Sequence, residues 1–226
     1  MNTKKLFYTT LVISVFMQIM TGVIDYFAFL IKVPSEFIII RQLLILELSV
    51  QFVEGLFYLW LILNFNYLTD VTPKRYIDWT ITTPTMLVTL IIYLIYSYHK
   101  EIGDTSKLEL FDLLFKNSFT ISNILMLNWL MLLFGYLGEK KIIPTFTGVL
   151  LGFIPFLIYY FIIYVNYVRS TFGLKLFLYF LVFWSFYGVV ALFPYYLKNA
   201  CYNILDIFSK NFFGIFLGYT IISNNF

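Results

Sequence analysis

The stretch RYIDWTITTPT, residues 75–85, is embedded in an otherwise apolar run and decides how the chain is interpreted. It places an arginine, an aspartate and a proline within a segment long enough to cross a bilayer. Ionisable side chains are costly at membrane depth and usually have a functional task there. The alternative is that Arg75 and Asp78 only mark the aqueous end of a helix. The rest of the sequence has to decide between these two explanations.

The composition predicts an integral membrane protein. Of the 226 residues, 61% are hydrophobic and only 12% are charged, whereas soluble domains are about 25% charged. The expected partner is therefore a lipid bilayer. The single cysteine, Cys201, excludes an intramolecular disulfide, and no Cys/His spacing suggests a metal site. The net charge of +3 comes from scattered basic residues, which argues against a nucleic-acid partner.

Polar interruptions divide the chain into spans, because a helix crosses the hydrocarbon layer in about 20 residues. Six breaks are visible, at 32–36, 64–74, 99–109, 138–144, 168–173 and 198–200. They leave seven apolar segments, at 6–31, 36–63, 74–98, 110–138, 143–168, 173–197 and 200–223. We therefore predict an all-α membrane protein, a seven-transmembrane-helix bundle that forms one domain over residues 1–226. The basic residues of the loops are nearly balanced between the two sides, so they do not decide the orientation.

The seventh segment carries a lysine near its middle, in LDIFSKNFFG. Asp206 and Lys210 are four residues apart and so share a helix face. A bare ammonium at this depth is expensive. A lysine converted to a Schiff base is chemically different from a free amine, and nearby carboxylates such as Asp206 can stabilise its positively charged form. The alternative is a structural Asp–Lys pair that closes a helix contact.

The third segment supplies a second carboxylate, Asp78. Thr82 lies four residues later, so we expect its hydroxyl to donate to the carboxylate or to a neighbouring water. Arg75, one turn earlier, can offset part of the negative charge of the two aspartates. Aromatic, hydroxyl and thioether side chains on the third and sixth segments suit a long, flat polyene: Trp79, Thr83, Met86, Trp184 and Tyr187.

The motifs RYxDWxxTTP, WSxY and LDxxxKxxFG, in this order, resemble the microbial (type 1) rhodopsins over the whole chain. The resemblance implies a non-enzymatic photoreceptor with all-trans retinal bound covalently to Lys210 as a Schiff base. It implies that Asp78 and Asp206 are counterions, with Arg75 beneath them and Thr82 as hydroxyl partner. It assigns the pocket to Trp79, Thr83, Met86, Trp184 and Tyr187, with Ser209 before the lysine. It also implies an extracellular N-terminus and a cytoplasmic C-terminus.

Several positions depart from the outward proton pumps of that family. Such pumps carry a carboxylate proton donor eleven residues after the first counterion, where this chain has Thr89. Lys198 occupies the position that resembles a proton-release carboxylate, and Ser209 stands where many pumps have alanine. These departures put vectorial proton pumping in doubt without excluding slow pumping.

The second segment carries carboxylates that a pump does not need. Glu47, Gln51 and Glu54 are spaced four and three, so they form one helical stripe. Negative side chains and amides that replace hydration are what a cation path requires. Further polar residues of the first and seventh segments would complete it: Ser14, Asp25, Asn203 and Asn211. The alternative is that the glutamates are protonated packing residues or contact a neighbouring protomer.

This polar set resembles the first group of viral rhodopsins, which implies a light-gated channel for monovalent cations that is sensitive to calcium. A cation channel is therefore our leading hypothesis. A light-driven proton pump and a photosensory rhodopsin with a separate membrane transducer are the alternatives. The channel hypothesis also predicts that Glu47 and Glu54 act on ions, so that neutralising either residue leaves the retinal absorption nearly unchanged.

Overall fold

The computed structural model describes residues 2–67, 70–104 and 106–224. Leu68, Thr69 and Thr105 of the predicted breaks, and residues 1 and 225–226 of the predicted domain, lie outside the described residues. In the described part the regular structure is helical, without strands. The helices are α1 (Thr3–Leu30), α2 (Ile38–Asn64), α3 (Thr72–Glu101), α4 (Leu110–Lys116), α5 (Ser118–Glu139), α6 (Thr145–Tyr167), α7 (Thr171–Val190), α8 (Tyr195–Asp206) and α9 (Phe212–Ile222). A 3₁₀ turn (Ser35–Phe37) precedes α2, and a π-helical turn (Ile207–Asn211) joins α8 to α9.

Seven helices of the described chain are long and apolar enough to cross a membrane. They are α1, α2 with its 3₁₀ turn, α3, α5, α6, α7 and a seventh span, Tyr195–Ile222, that comprises α8, the π-helical turn and α9. Large apolar side chains such as Phe52 and Phe161 are exposed on the outside of the bundle, where lipid would solvate them. The prediction of a seven-helix multi-pass membrane protein is confirmed.

The spans form a closed ring in which each packs against its neighbour, and α1 packs against the seventh span. The largest buried share belongs to α3, which also contacts α2, α5, α6 and α7. Side chains of α3 that point inward therefore reach the middle of the bundle. This position explains how the 75–85 stretch can be polar and still be enclosed.

The predicted break at 198–200 is wrong. These residues lie inside α8, and the chain turns earlier, before Pro194 at the helix N-cap. Lys198 and Asn199 are buried with partners on other helices, Glu139 and Arg75. Their polarity reflects those partners and not an aqueous loop.

The fourth predicted segment, 110–138, is also not one helix. It is interrupted at Asn117, whose side-chain amide donates to the Leu113 carbonyl at 2.8 Å. Such local side-chain bonding competes with helix continuation. The result is that α4 is a short helix and α5 alone forms the span.

Candidate functional site

Lys210 lies in the π-helical turn, is only 2% exposed, and is surrounded by carboxylates from three spans. Its Nζ lies 2.5 Å from Asp78 Oδ2, 3.7 Å from Glu54 Oε1 and 3.9 Å from Asp206 Oδ1. The sequence predicts Asp78 and Asp206 as partners of the lysine and places Glu54 in a separate cation path. The structure brings Glu54 as close to the lysine as Asp206.

Asp206 is held by donors from three other helices. Arg75 Nη1 donates to it at 3.2 Å, and the hydroxyls of Tyr58 and Tyr187 each donate at 2.7 Å. Tyr58 was missed in the sequence. It follows Glu54 by four residues and so continues the stripe of α2.

Arg75 is fully buried and pairs with Asp206. It lies between Asp206 and the end of the bundle at which the chain's N-terminus lies, which we call the N-terminal end of the bundle. Its Nε donates to Asn199 Oδ1 at 3.0 Å, and its Nη2 donates to Asn203 Oδ1. The guanidinium also lies 5.2 Å from the centre of the Phe57 ring, a cation–π distance. Arg75 and Asp78 therefore do not mark an aqueous helix end, and the alternative interpretation of the 75–85 stretch is excluded.

The carboxylate of Asp78, one of the two partners expected for the Thr82 hydroxyl, does not accept a hydrogen bond from it. The Thr82 hydroxyl donates instead to the main-chain carbonyl of Asp78, at 3.0 Å. Within a helix the carbonyl four residues earlier is the nearest acceptor for a threonine. Thr83 does the same with the Trp79 carbonyl, at 2.7 Å. The carboxylate of Asp78 is left to Lys210.

A cavity opens from Lys210 into the middle of the bundle. It is lined by the residues predicted for a polyene pocket, Trp79, Thr83, Met86, Trp184, Tyr187 and Ser209, and is closed by side chains and glycines of α5 and α6. Trp79 stands edge-on to Tyr187, with ring centres 5.5 Å apart, and its buried indole N–H has no partner among the described residues. An apolar, aromatic cavity with an amine at one end fits a flat conjugated chain attached to Lys210.

A second feature, which we call the polar column, runs along the bundle between α1, α2 and the seventh span. Its members are buried and, apart from the adjacent Lys210 and Asn211, recur at intervals of three or four residues: Thr10, Ser14, Gln18, Thr21 and Asp25 in α1; Glu47, Gln51, Glu54 and Tyr58 in α2; and Asn199, Asn203, Asp206, Lys210 and Asn211 in the seventh span. The α1 stripe was only partly recognised in the sequence. Its spacing of four, four, three and four was the available signal.

Three amides of the polar column form a connected layer next to Lys210. Asn211 Nδ2 donates to Gln18 Oε1 at 3.0 Å and to Gln51 Oε1 at 3.2 Å. Gln18 donates to Gln51, and Gln51 Nε2 donates to the Lys210 carbonyl at 3.2 Å. We call Gln18, Gln51 and Asn211 the amide layer. It closes the column directly beside the lysine.

The column differs on the two sides of Lys210. Towards the N-terminal end, Ser14 donates to the Asn203 carbonyl at 3.0 Å, and Asn203 Nδ2 donates to Thr10 at 3.1 Å. Towards the opposite end, Asp25 and Glu47 are fully buried, and their carboxylate oxygens have no hydrogen-bond partner in the described chain. A side chain at Gly214 would collide with the Asp25 carboxylate, so that glycine makes room for it.

Lys198 pairs with Glu139 across α5 and α8. Its Nζ lies 2.8 Å and 2.7 Å from the two carboxylate oxygens, and both side chains are nearly buried. Lys198, which the resemblance aligns with a proton-release carboxylate, is therefore a cation already paired with Glu139.

The family model for bacteriorhodopsin-like proteins matches residues 7–224. No match was found among curated proteins. Among solved structures, the viral rhodopsin OLPVRII is 26% identical, covers 98% of this chain and 100% of its own, and superposes with a TM-score of 0.83.

Two further structures share the fold at lower identity. Xanthorhodopsin, a light-driven ion pump with dual chromophore, is 19% identical with a TM-score of 0.72 over 98% of this chain and 94% of its own. The transmembrane domain of rhodopsin phosphodiesterase from Salpingoeca rosetta is 15% identical with a TM-score of 0.70 over 96% and 84%. Apart from such enzyme-linked homologues, proteins of this fold are generally non-enzymatic pumps, channels or photosensors. The resemblance found in the sequence is confirmed, and the chain belongs to the bacteriorhodopsin-like family of microbial rhodopsins.

Proposed function

We propose that the protein binds all-trans retinal as a Schiff base on Lys210 and works as a light-gated channel for monovalent cations. The family implies a retinal chromophore, and the aromatic cavity that ends at Lys210 fits one. Bound retinal supplies light absorption and a change of shape on isomerisation. The protein supplies the rest: Asp78 and Asp206 hold the positive charge at Lys210, and Arg75 holds Asp206.

The polar column is the observation that carries the channel proposal. Carboxylates, amides and hydroxyls recur through the depth of the bundle on α1, α2 and the seventh span. A cation that leaves water needs such groups to replace its hydration shell. Lys210 belongs both to the column and to the cavity wall. A displacement of Lys210 would therefore act directly on the amide layer, which makes that layer the gate in this proposal.

A light-driven proton pump is the second candidate, favoured by the 2.5 Å contact between Lys210 Nζ and Asp78. A proton can pass between groups at that distance. Thr89, at the position of the usual donor, cannot carry a proton to the lysine near neutral pH. For both candidates we propose an extracellular N-terminus, which places the amide layer, Glu47 and Asp25 on the cytoplasmic side of Lys210.

Patch-clamp recording under light separates the two candidates. A channel current reverses near the equilibrium potential of the permeant cation when sodium, potassium or proton gradients are changed. A pump current keeps its direction at every voltage and depends on Asp78. A current that never reverses would refute the channel proposal.

Neutralising Glu47 tests the column itself. Glu47→Gln should change current amplitude or cation preference, because the unpartnered carboxylate is replaced by a neutral amide. Calcium should reduce the wild-type current, since a divalent ion binds carboxylates more tightly than a monovalent one and leaves more slowly. The matched control is Asp112→Asn on the exposed face of α4, which should behave as wild type. If Glu47→Gln keeps the amplitude, reversal potential and calcium response of the wild type, the column is structural.

A further inference from the structure

The carboxylates around Lys210 outnumber the cations. Glu54, Asp78 and Asp206 face Lys210 and Arg75, and all five side chains are buried. The charge count does not change when Lys210 carries retinal, because a protonated Schiff base also bears one positive charge. If all three carboxyl groups were ionised, one negative charge would remain uncompensated, and an isolated buried charge is strongly disfavoured. One of the three carboxyl groups must hold a proton.

Hydrogen bonds identify which carboxyl group that is. Asp206 accepts from Arg75, Tyr58 and Tyr187, and Asp78 accepts from Lys210, so both are stabilised as carboxylates. Glu54 is fully buried, and neither of its oxygens accepts a hydrogen bond in the described chain. The charged and titratable groups facing Glu54 are Lys210, Asp206, Asp78, Arg75, Tyr58 and Tyr187.

We infer that Glu54 is protonated in the dark and is the proton donor that returns a proton to Lys210 Nζ, in the role that Thr89 cannot fill. The inference rests on the retinal linkage proposed above but not on ion conduction. It assigns a proton-transfer task to a residue that the sequence had linked only to ions. The 3.7 Å separation of Glu54 Oε1 from Lys210 Nζ requires a small closing movement before transfer.

The charges balance at each step of this exchange. A proton that leaves Lys210 Nζ for Asp78 Oδ2 leaves Lys210 and Asp78 neutral, with Arg75 and Asp206 still paired. When Glu54 then gives its proton to Lys210, its O–H bond breaks and an N–H bond forms, and Lys210 and Glu54 become an ion pair. Loss of the proton from Asp78 and uptake of one from water by Glu54 restore the start. The site is neutral at the start, after each of the two transfers to and from Lys210, and again once Asp78 has lost a proton and Glu54 has gained one, so neither transfer creates an uncompensated buried charge.

Other candidates for this role are less well placed. Thr89 has no ionisable group in this range. Glu47 lies seven residues from Glu54, about 10 Å along the helix, and Gln51 of the amide layer stands between them. Among the described residues near Lys210, Glu54 is thus the one carboxyl group that accepts no hydrogen bond and is not needed to balance the charge of Lys210 or Arg75.

Infrared spectroscopy of the retinal-loaded protein tests the dark-state proton. Light-minus-dark spectra should show loss of a protonated carboxylic-acid C=O band, and Glu54→Gln should abolish it. Glu47→Gln, on the same stripe but away from Lys210, should retain it. The visible band of Glu54→Gln should stay near the wild-type position, because one neutral group replaces another, while Asp78→Asn shifts it. A loss of carboxylic-acid C=O absorption that persists in Glu54→Gln, or a band shift as large as that of Asp78→Asn, would overturn the inference. The gain of such absorption at Asp78 is expected in both proteins.

Flash spectroscopy tests the transfer. Recovery of the visible band should be at least tenfold slower in Glu54→Gln, since positioned proton donors contribute about 10²–10⁴-fold. Azide, a small weak acid, should restore the rate, and Glu54→Asp should recover part of it. Asp112→Asn serves as the unchanged control. Recovery of Glu54→Gln at the wild-type rate would refute the proton-donor role. A wild-type protein with no visible band would instead refute retinal binding, and a missing photocurrent would refute the channel alone.

Discussion

The contribution of the Glu139–Lys198 ion pair, which links α5 to the seventh span, to the stability of the protein can be tested quantitatively. Lys198 is 8% exposed and Glu139 9%, and both carboxylate oxygens lie within 2.8 Å of the ammonium. Glu139→Gln leaves the ammonium buried without a counter-charge, which typically costs about 3–5 kcal/mol. For a chain of this size that corresponds to a fall in melting temperature of about 6–20 °C.

The assay is the temperature at which the retinal-loaded protein loses its visible band. The double variant Glu139→Gln with Lys198→Met should regain most of the loss, because no buried charge is then left unpaired. The exposed pair Lys107–Glu109 provides a control, and Glu109→Gln should leave the melting temperature nearly unchanged. If Glu139→Gln melts within about 2 °C of the wild type, or the double variant is no more stable than the single one, the pair is not a fastening.

Three further predictions concern the chromophore site. Lys210→Ala and Lys210→Arg should each abolish the visible band at normal expression, and a surviving band would disprove the linkage. Asp78→Asn should shift the band to the red and reproduce most of the shift seen on acidification, because it removes the negative charge 2.5 Å from Lys210 Nζ; an unchanged spectrum and acid transition would mean that another group is the main counterion. Tyr58→Phe removes one of three donors to Asp206 and should lower stability by about 1.5–3 kcal/mol, the contribution of a hydrogen bond to a charged group. Thermal unfolding measures this loss, and wild-type stability would contradict it.

The architecture was predictable because the lengths of the apolar segments match the lipid hydrocarbon layer, and most of the polar breaks between them correspond to loops in water. Seven spans follow from comparing the lengths of the apolar segments with the thickness of the hydrocarbon layer. The boundary at 198–200 failed for a physical reason: Lys198 and Asn199 are polar because they meet Glu139 and Arg75 inside the bundle. A single sequence gives no sign of which polar residues have distant partners.

The site was predictable only in part. The sequence shows which residue types the site contains, but it does not show the distances between residues on different helices. The buried ionisable residues Asp78, Asp206 and Lys210 stand out because each is costly in an apolar segment. Glu54 stands out in the same way, yet periodicity on α2 says nothing about how far it lies from a lysine on another helix. Only the packing of α2 against the seventh span reveals the 3.7 Å approach.

The π-helical turn at Ile207–Asn211 has a mechanical consequence. A π turn accommodates one residue more than an α turn, and it disturbs the regular ladder of main-chain hydrogen bonds. Two carbonyls of the turn accept side-chain donors from neighbouring helices: Phe208 from the Tyr179 hydroxyl at 2.6 Å and Lys210 from Gln51 at 3.2 Å. The seventh span therefore consists of two α-helices, α8 and α9, joined by a π-helical turn whose main chain is hydrogen-bonded to α7 and α2. A displacement of this turn would therefore act on α7 through Tyr179 and on α2 through Gln51, and Gln51 is a member of the polar column.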